Sequence, residues 1–340
     1  MTKEQINELL LKGQFGEYHG LTVMIETHIS WVFICDQFVY KIKKPLQYSF
    51  LDFSSLEKRK YFCHREIELN NRLTDEIYLD VQPVRTIAGR HFIGGENGEV
   101  IDYAVRMKKM DAQLQMDVLL MNNKVTESHI TNLAERIAIF HKKTDIIFHK
   151  DILDVQKKFD DLGEESDYLG EHLNTNTKTI ISNALATSYS FVQNNKALLY
   201  SRLKAGFFRD CHGDLHSRNI FLLPYPQPFD CIEFNDDFRQ IDVLNEIAFL
   251  CMDLDAFGRE DLSDLFLTSY NNLFPCMKTE DDRKFFVYYK SYRSNIRAKV
   301  NSLRARTATA GAQKKAALKE ADKYLHLMDV YMKELQVQSP

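Results

Sequence analysis

Paired cysteines are the first thing this chain lacks. Its six cysteines, Cys35, Cys63, Cys211, Cys231, Cys251 and Cys276, are scattered through 340 residues with no C-x-x-C spacing. That excludes a disulfide framework or zinc ribbon and reads as reduced, cytoplasmic thiols. An excess of one charge is also missing. The 44 Lys and Arg against 48 Asp and Glu leave a net charge of −4, so no global field attracts nucleic acid or an anionic membrane. No apolar run approaches the roughly 20 residues of a spanning helix. The charged, amphipathic start, Met1 to Leu11, has no signal-peptide pattern. Glycine is scarce, at 13 residues, and no G-x-x-x-x-G-K-[ST] phosphate loop occurs. Internal repeats and low-complexity tracts are lacking too. What is present is 44% hydrophobic content, sufficient for two cores.

The first third reads as strands around one long helix. Thr2 and Gln5 form a capping box for a helix to Lys12, stopped by Gly13. Strand-like segments follow at Leu21–Thr27, Trp31–Cys35 and Phe38–Lys43. Ser54 and Glu57 make a second capping box, opening a helix to about Leu73. Arg90–Ile93 and Glu99–Met107 flank a glycine-rich turn. Beyond about Met110 the pattern turns helical, with helices expected at Thr126–Lys143, Thr177–Asn194, Val243–Leu254, Asp281–Arg306 and Ala316–Leu335. The alanine-rich Thr307–Ala317 reads as a loop. Ile220–Leu223 and Phe229–Ile232 read as a short hairpin around Pro224-Tyr225-Pro226-Gln227-Pro228.

The most informative run is Cys211-His212-Gly213-Asp214-Leu215-His216-Ser217-Arg218-Asn219. An aspartate five residues before an asparagine is the spacing of a phosphotransfer loop. The aspartate accepts the proton of an attacking hydroxyl, and the asparagine holds magnesium without adding negative charge. Two blander readings compete: a hydrogen-bonded turn, or a zinc site from His212 and His216. The second lacks the H-E-x-x-H glutamate and a helical context.

With glycine in place of the arginine of H-R-D, the motif H-G-D-x-H-x-x-N resembles the loop of the aminoglycoside phosphotransferase and choline kinase superfamily. The resemblance implies an α+β, bilobal, protein-kinase-like fold. A small β-rich N-lobe (residues 1–110) would carry nucleotide, and a large, mostly helical C-lobe (111–340) the chemistry. It implies ATP and Mg2+ as cofactors, Asp214 as base and Asn219 as metal ligand. The usual I-D-[FW] after the hairpin is here Ile232-Glu233-Phe234, which selects Glu233 as the second ligand, with Asp236 in support. Val39-Tyr40-Lys41 resembles the A-x-K of the third kinase strand. Alternation alone leaves Lys41 and Lys43 equivalent; the resemblance selects Lys41, with Val39 on adenine and Glu66 on the next helix as the lysine's partner. Met107 falls in the hinge strand Tyr103–Met110. Ser30 stands where a glycine-rich loop would cover the phosphates. Asp242-Val243-Leu244-Asn245-Glu246 resembles the superfamily's D-x-x-x-D helix start, with Asp242 capping the helix and bracing the loop. The gap from Glu233 to Asp242 leaves no room for a protein-kinase activation segment. The run V-Y-K-I-K-K-P with I-E-F-N-D-D is similar to a subgroup called aminoglycoside phosphotransferase family enzymes. Some of these carry an appended P-loop domain, which is not expected here.

From Arg283 to Arg306 there are eight Lys or Arg and no acid, with Lys290, Arg293 and Arg297 on one helix face. A solvated face is the bland reading. An anion site beside the acceptor is the sharper one, with Arg293 and Arg297 as contacts and His216 as a further candidate. Such a site would repel an aminoglycoside and suit a neutral or anionic hydroxylated small molecule; RNA on the same stretch is argued against by the net charge. The expected activity is an ATP- and magnesium-dependent small-molecule kinase. The alternatives are a kinase-like nucleotide-binding regulatory module and a protein kinase.

Overall fold

The computed structural model describes residues 1–16 and 22–337; Leu21, the start of one expected strand, lies outside them. Strand alternation sets the architecture of the first part of the chain. A seven-stranded sheet runs in the order Gln14–Phe15, Arg90–Ile93, Tyr78–Ile87, Glu99–Lys108, Phe38–Lys43, Ser30–Ile34, Val23–Glu26. All neighbours are antiparallel except the first two. On the strand Phe38–Lys43, Tyr40 and Ile42 point into a core with Phe15, Trp31, Phe33 and Ala104. The helix Lys3–Lys12 adds Ile6 and Leu9 to that core, and its Thr2–Gln5 capping box forms as expected. By alternation Val39, Lys41 and Lys43 face the other side of the sheet. The helix Leu56–Asn70 contributes Glu66, which both lysines reach, and Cys63, which packs with Tyr78 and Val105. Its cap is Ser55, one residue later than expected, accepting from the Lys58 amide.

Two compact units divide the chain: Met1–Asn122 with Arg218–Arg239, and Asn123–Ser217 with Gln240–Pro340. Compactness therefore does not follow a single cut near residue 110. The hairpin after the asparagine belongs to the first unit and pairs Ile220 with Pro228 and Phe221 with Gln227. Its second strand lies earlier than the expected Phe229–Ile232.

The second unit is mostly helical, so the α+β class expected from the sequence is the one observed. Helices run at Glu127–Lys143, Thr177–Asn194, Val243–Ala256, Glu260–Leu273, Glu280–Thr307 and Gly311–Val337. Every residue from Val243 to Leu254 is buried, which fits a helix apolar on nearly all sides. The expected loop Thr307–Ala317 shrinks to residues 308–310, because alanine strongly favours helix. A short antiparallel ladder, Phe208–Asp210 with Gln240–Asp242, leads into the glycine-aspartate loop. No helix among the described residues is long and apolar enough to cross a membrane.

Candidate active site

In the first unit, charge is gathered around Glu66. Its carboxylate is fully buried, with Oε1 accepting from Lys41 Nζ at 2.8 Å and Oε2 from Lys43 Nζ at 2.6 Å. Burial pushes that carboxyl up, but the two ammonium groups pull it below the ordinary range. Lys41 also donates to Asp230 Oδ1 at 2.7 Å. Burial opposes charge on Lys41, yet Asp230 and Glu66 outweigh it and hold the ammonium well above its usual value. Lys43 donates to Glu233 and sits over the Phe53 ring at 5.0 Å. The two lysines that the sequence could not separate thus share one glutamate and differ in their second partner.

Asp230 was not singled out from the sequence. It follows the hairpin directly, and its side chain is 45% exposed. Its amide donates to the Tyr78 hydroxyl at 3.1 Å, and the next amide, of Cys231, donates to Asn70 Oδ1 at 2.9 Å. The end of the Glu66 helix therefore fixes this segment. The backbone at Asp230 has φ +62°, a left-handed conformation in which aspartate is among the better-tolerated residues. Asn219 lies across the hairpin base: its carbonyl accepts from the Phe229 amide at 2.9 Å. Asp230 is thus one residue beyond Asn219's backbone partner. The sequence signal was present in Phe229-Asp230-Cys231-Ile232-Glu233, but the I-E-F match drew attention to the second acid.

Of the acids named from the sequence, Glu233 is buried against Lys43, and burial pushes its carboxyl up. Asp236 is 60% exposed and pairs with Arg239 at 2.7 Å. Val39 and Met107 are direct cross-strand partners on the lysine-bearing face. Ser30 lies opposite Lys43 in the ladder. Its hydroxyl is fully buried and, among the described residues, without a hydrogen-bond partner.

In the second unit, the loop after Asp210 is held from behind. Glu246 Oε1 accepts from the His212 amide at 2.6 Å, and Oε2 from the Gly213 amide at 3.0 Å. Burial raises the Glu246 carboxyl to about 7, even though Arg293 and the two amides pull it down. Gly213 has φ +90°, a backbone state that L side chains resist and glycine adopts freely. Asp242 caps the next helix through the Leu244 amide and is clamped by Arg202 at 2.6 and 2.9 Å. Glu246, not Asp242, supplies the hydrogen bonds to the loop.

Asp214 projects from this loop with its side chain 38% exposed. Its amide donates to His212 Nδ1 at 3.2 Å, and its Oδ2 lies 3.4 Å from His216 Nε2. Burial raises its carboxyl, but His216, Arg297 and His212 outweigh that and hold it well below the usual carboxylate range. Ser217 donates its amide and hydroxyl to buried Asp253 Oδ2 at 2.9 and 2.5 Å. Arg293 donates to Asn245 Oδ1 at 2.7 Å and the Gly213 carbonyl at 3.0 Å. Arg293 is therefore a positioning residue of the loop. Arg297, one turn on, lies over Tyr324 at 5.3 Å.

No family model matches the chain. It is 28% identical over 287 residues to uncharacterized proteins of Mycobacterium tuberculosis and Mycobacterium bovis, covering 82% of this chain and 54% of theirs. The chain thus spans about half the length of the curated relatives it matches. Among solved structures, APH(2")-IIia in its GDP and kanamycin complex superposes with a TM-score of 0.55 at 12% identity, covering 97% of this chain and 99% of that one. The choline kinase of Cryptosporidium parvum gives 0.53 at 12% identity, covering 93% and 89%. An ethanolamine kinase of Plasmodium vivax gives 0.50 at 10%, covering 89% and 81%. The chain has the kinase-like fold that these small-molecule kinases share.

Proposed function

We propose that the chain is an ATP- and magnesium-dependent kinase that moves the γ-phosphoryl group to a hydroxyl of a neutral or anionic small metabolite. One observation carries the reading: Lys41 is held at 2.8 Å by Glu66 and at 2.7 Å by Asp230. A lysine pinned in this way presents a fixed cation to nucleotide phosphates, with little conformational freedom left to lose on binding. Asn219 and Asp230 offer the hard, oxygen-bearing donors that suit magnesium. Both Asp230 and Glu233 are paired to a lysine, but Glu233 is buried with its partner while Asp230 is open to solvent, which makes Glu233 the weaker candidate in this chain. When bound, the metal would neutralise charge on the triphosphate.

Asp214 has the role of base. Its carboxylate stays ionised under ordinary conditions, as proton acceptance requires. The acceptor oxygen forms a bond to the γ-phosphorus, the bond from that phosphorus to the bridging oxygen of ADP breaks, and the hydroxyl proton passes to Asp214 and then to solvent. Glu246, Arg293 and Gly213 fix the loop that aims Asp214. Val39 and Met107 are the proposed adenine contacts, and Ser30, buried, is the least supported of the nucleotide contacts.

The test is ADP release over a panel of sugars, sugar acids and amino alcohols, with nucleotide binding followed separately by calorimetry. Magnesium-dependent ADP formation tied to one acceptor, and lost in Asp214→Asn, supports the reading. Failure of the wild type to bind Mg·ATP at all would overturn it.

A further inference from the structure

Four cations of Glu280–Thr307 are engaged within the protein, and Arg297 differs from them. Lys290 pairs with Asp255, Lys299 with Asp161 at 2.8 Å, and Arg306 with Glu165 at 2.9 Å. Arg293 is bound to Asn245 and the Gly213 carbonyl. Arg297 is only 6% exposed, and its Nε is buried with no hydrogen-bond partner. Among the described residues no carboxylate forms an ion pair with it. Leaving a buried guanidinium N–H without an acceptor is costly. A cation that the fold maintains in that state is a candidate for completion by a ligand.

Its surroundings say which ligand. Burial opposes the charge on Arg297, while Tyr324, Asp253 and Asp214 favour it. Asp253 is already occupied by the Ser217 amide and hydroxyl and by the Tyr324 hydroxyl at 3.3 Å. The guanidinium is thus close enough to the proposed base to affect its charge, stacked on a tyrosine, and short of one acceptor. A planar, permanently charged fork of this kind matches a carboxylate or phosphate oxygen and repels an ammonium group. We propose that Arg297 receives an anionic group of the acceptor, so that the substrate is a hydroxylated carboxylic acid or phosphate ester rather than an amino sugar or amino alcohol. This rests on the kinase reading above and narrows its acceptor. Arg293, bound to Asn245 and the Gly213 carbonyl, positions the loop.

The experiment compares acids with neutral counterparts: D-glycerate with glycerol, D-gluconate with D-glucose, and glycerol 3-phosphate with glycerol. Choline and kanamycin are the cationic arms. Binding is followed by thermal shift and calorimetry with saturating Mg·ADP, and turnover by ADP release. The expected result is that at least one acid exceeds its neutral partner by about tenfold or more in affinity or kcat/KM. Arg297→Met should abolish that preference with ATP affinity unchanged, and Arg297→Lys should keep part of it. Arg304→Ala, on the exposed side of the helix, should keep it in full. If Arg297→Met does not fold, the wild-type ratio and Arg297→Lys decide. Equal or better binding of the neutral or cationic member in every pair, or an acid preference that survives Arg297→Met, overturns the proposal. Those outcomes leave Mg·ATP binding intact, whereas loss of the kinase reading shows as no Mg·ATP binding whatever the probe.

Discussion

Replacing Lys43 by methionine should cost more than replacing its partner Glu233 by glutamine, and the two changes together should cost less than the first alone. Lys43 is fully buried and bridges Glu66, at 2.6 Å, and Glu233. In Lys43→Met, Glu66 keeps Lys41 at 2.8 Å, but Glu233 is left as a buried carboxylate without its cation. Breaking a buried pair from one side costs about 3–5 kcal/mol. In Glu233→Gln, Lys43 keeps Glu66, so the loss is that of one charge-assisted hydrogen bond, about 1–2 kcal/mol. The double variant removes the stranded charge and should lose about 2 kcal/mol. The non-additivity is then about 3 kcal/mol, at the upper end for contacting residues. Denaturant unfolding of the four proteins measures it. Additive costs would refute the idea that Glu233 exists to balance Lys43. A magnesium titration of nucleotide binding supplies the second arm. If Glu233→Gln keeps its stability but needs at least about tenfold more magnesium, Glu233 is the metal ligand that the I-E-F match suggested.

Asp230→Asn should raise the magnesium requirement for nucleotide binding by about tenfold, on the order of 1.4 kcal/mol, while Asp236→Asn, at an exposed ion pair, should change it little; a reversed ranking moves the metal role to Asp236. Asp214→Asn should abolish phosphoryl transfer and leave ATP affinity within about twofold, checked by calorimetry beside single-turnover assays. Glu246→Gln should alter the pH dependence of stability. Glu246 titrates near 7 in the fold against a reference of 4.5, so it holds its proton more tightly when folded. Its stabilising contribution is complete below about 4.5 and is lost as pH rises through about 7, on the order of 3 kcal/mol. The wild type should therefore lose stability relative to the variant across that window. Parallel stability curves for the two proteins would contradict it.

Much of the fold was legible because the local signals agreed. The capping box at Thr2 and the helix Thr177–Asn194 stand as read, and the strand Phe38–Lys43 is found at its expected bounds. The strand Tyr78–Ile87 was missed because Pro83 interrupts it, and proline usually argues against an inner strand. It is accommodated because Pro83 lies opposite Tyr103 on one side, while on the other the ladder begins only at Val84 with Ile93. Pro83 needs only to accept there, from the Gly94 amide at 2.8 Å. The helix Glu260–Leu273 was missed among the mixed polar residues after the buried helix. In the site, spacing marked Asp214 and Asn219, because both sit on one short loop. It could not mark Asp230, whose ion pair is with a lysine 189 residues away.

The same limit applies to the lysines, and charge balance shows what alternation leaves out. Val39, Lys41 and Lys43 share a face whatever lies beneath them; the period of two says nothing about which carboxylate each will meet. In the fold, two lysines meet three carboxylates: Glu66, Glu233 and Asp230. Glu66 and Glu233 are buried, and with the two ammonium groups they form a neutral set, the arrangement a low-dielectric interior tolerates. Asp230 shares Lys41 with Glu66, so the whole cluster carries one net negative charge, and Asp230 is the one carboxylate of the three that solvent reaches. A bound cation gains most where uncompensated charge meets open space, since a buried, matched acid must first give up its partner. That asymmetry is why Asp230, and not the longer and better hidden Glu233, is the carboxylate here from which a divalent ion would gain.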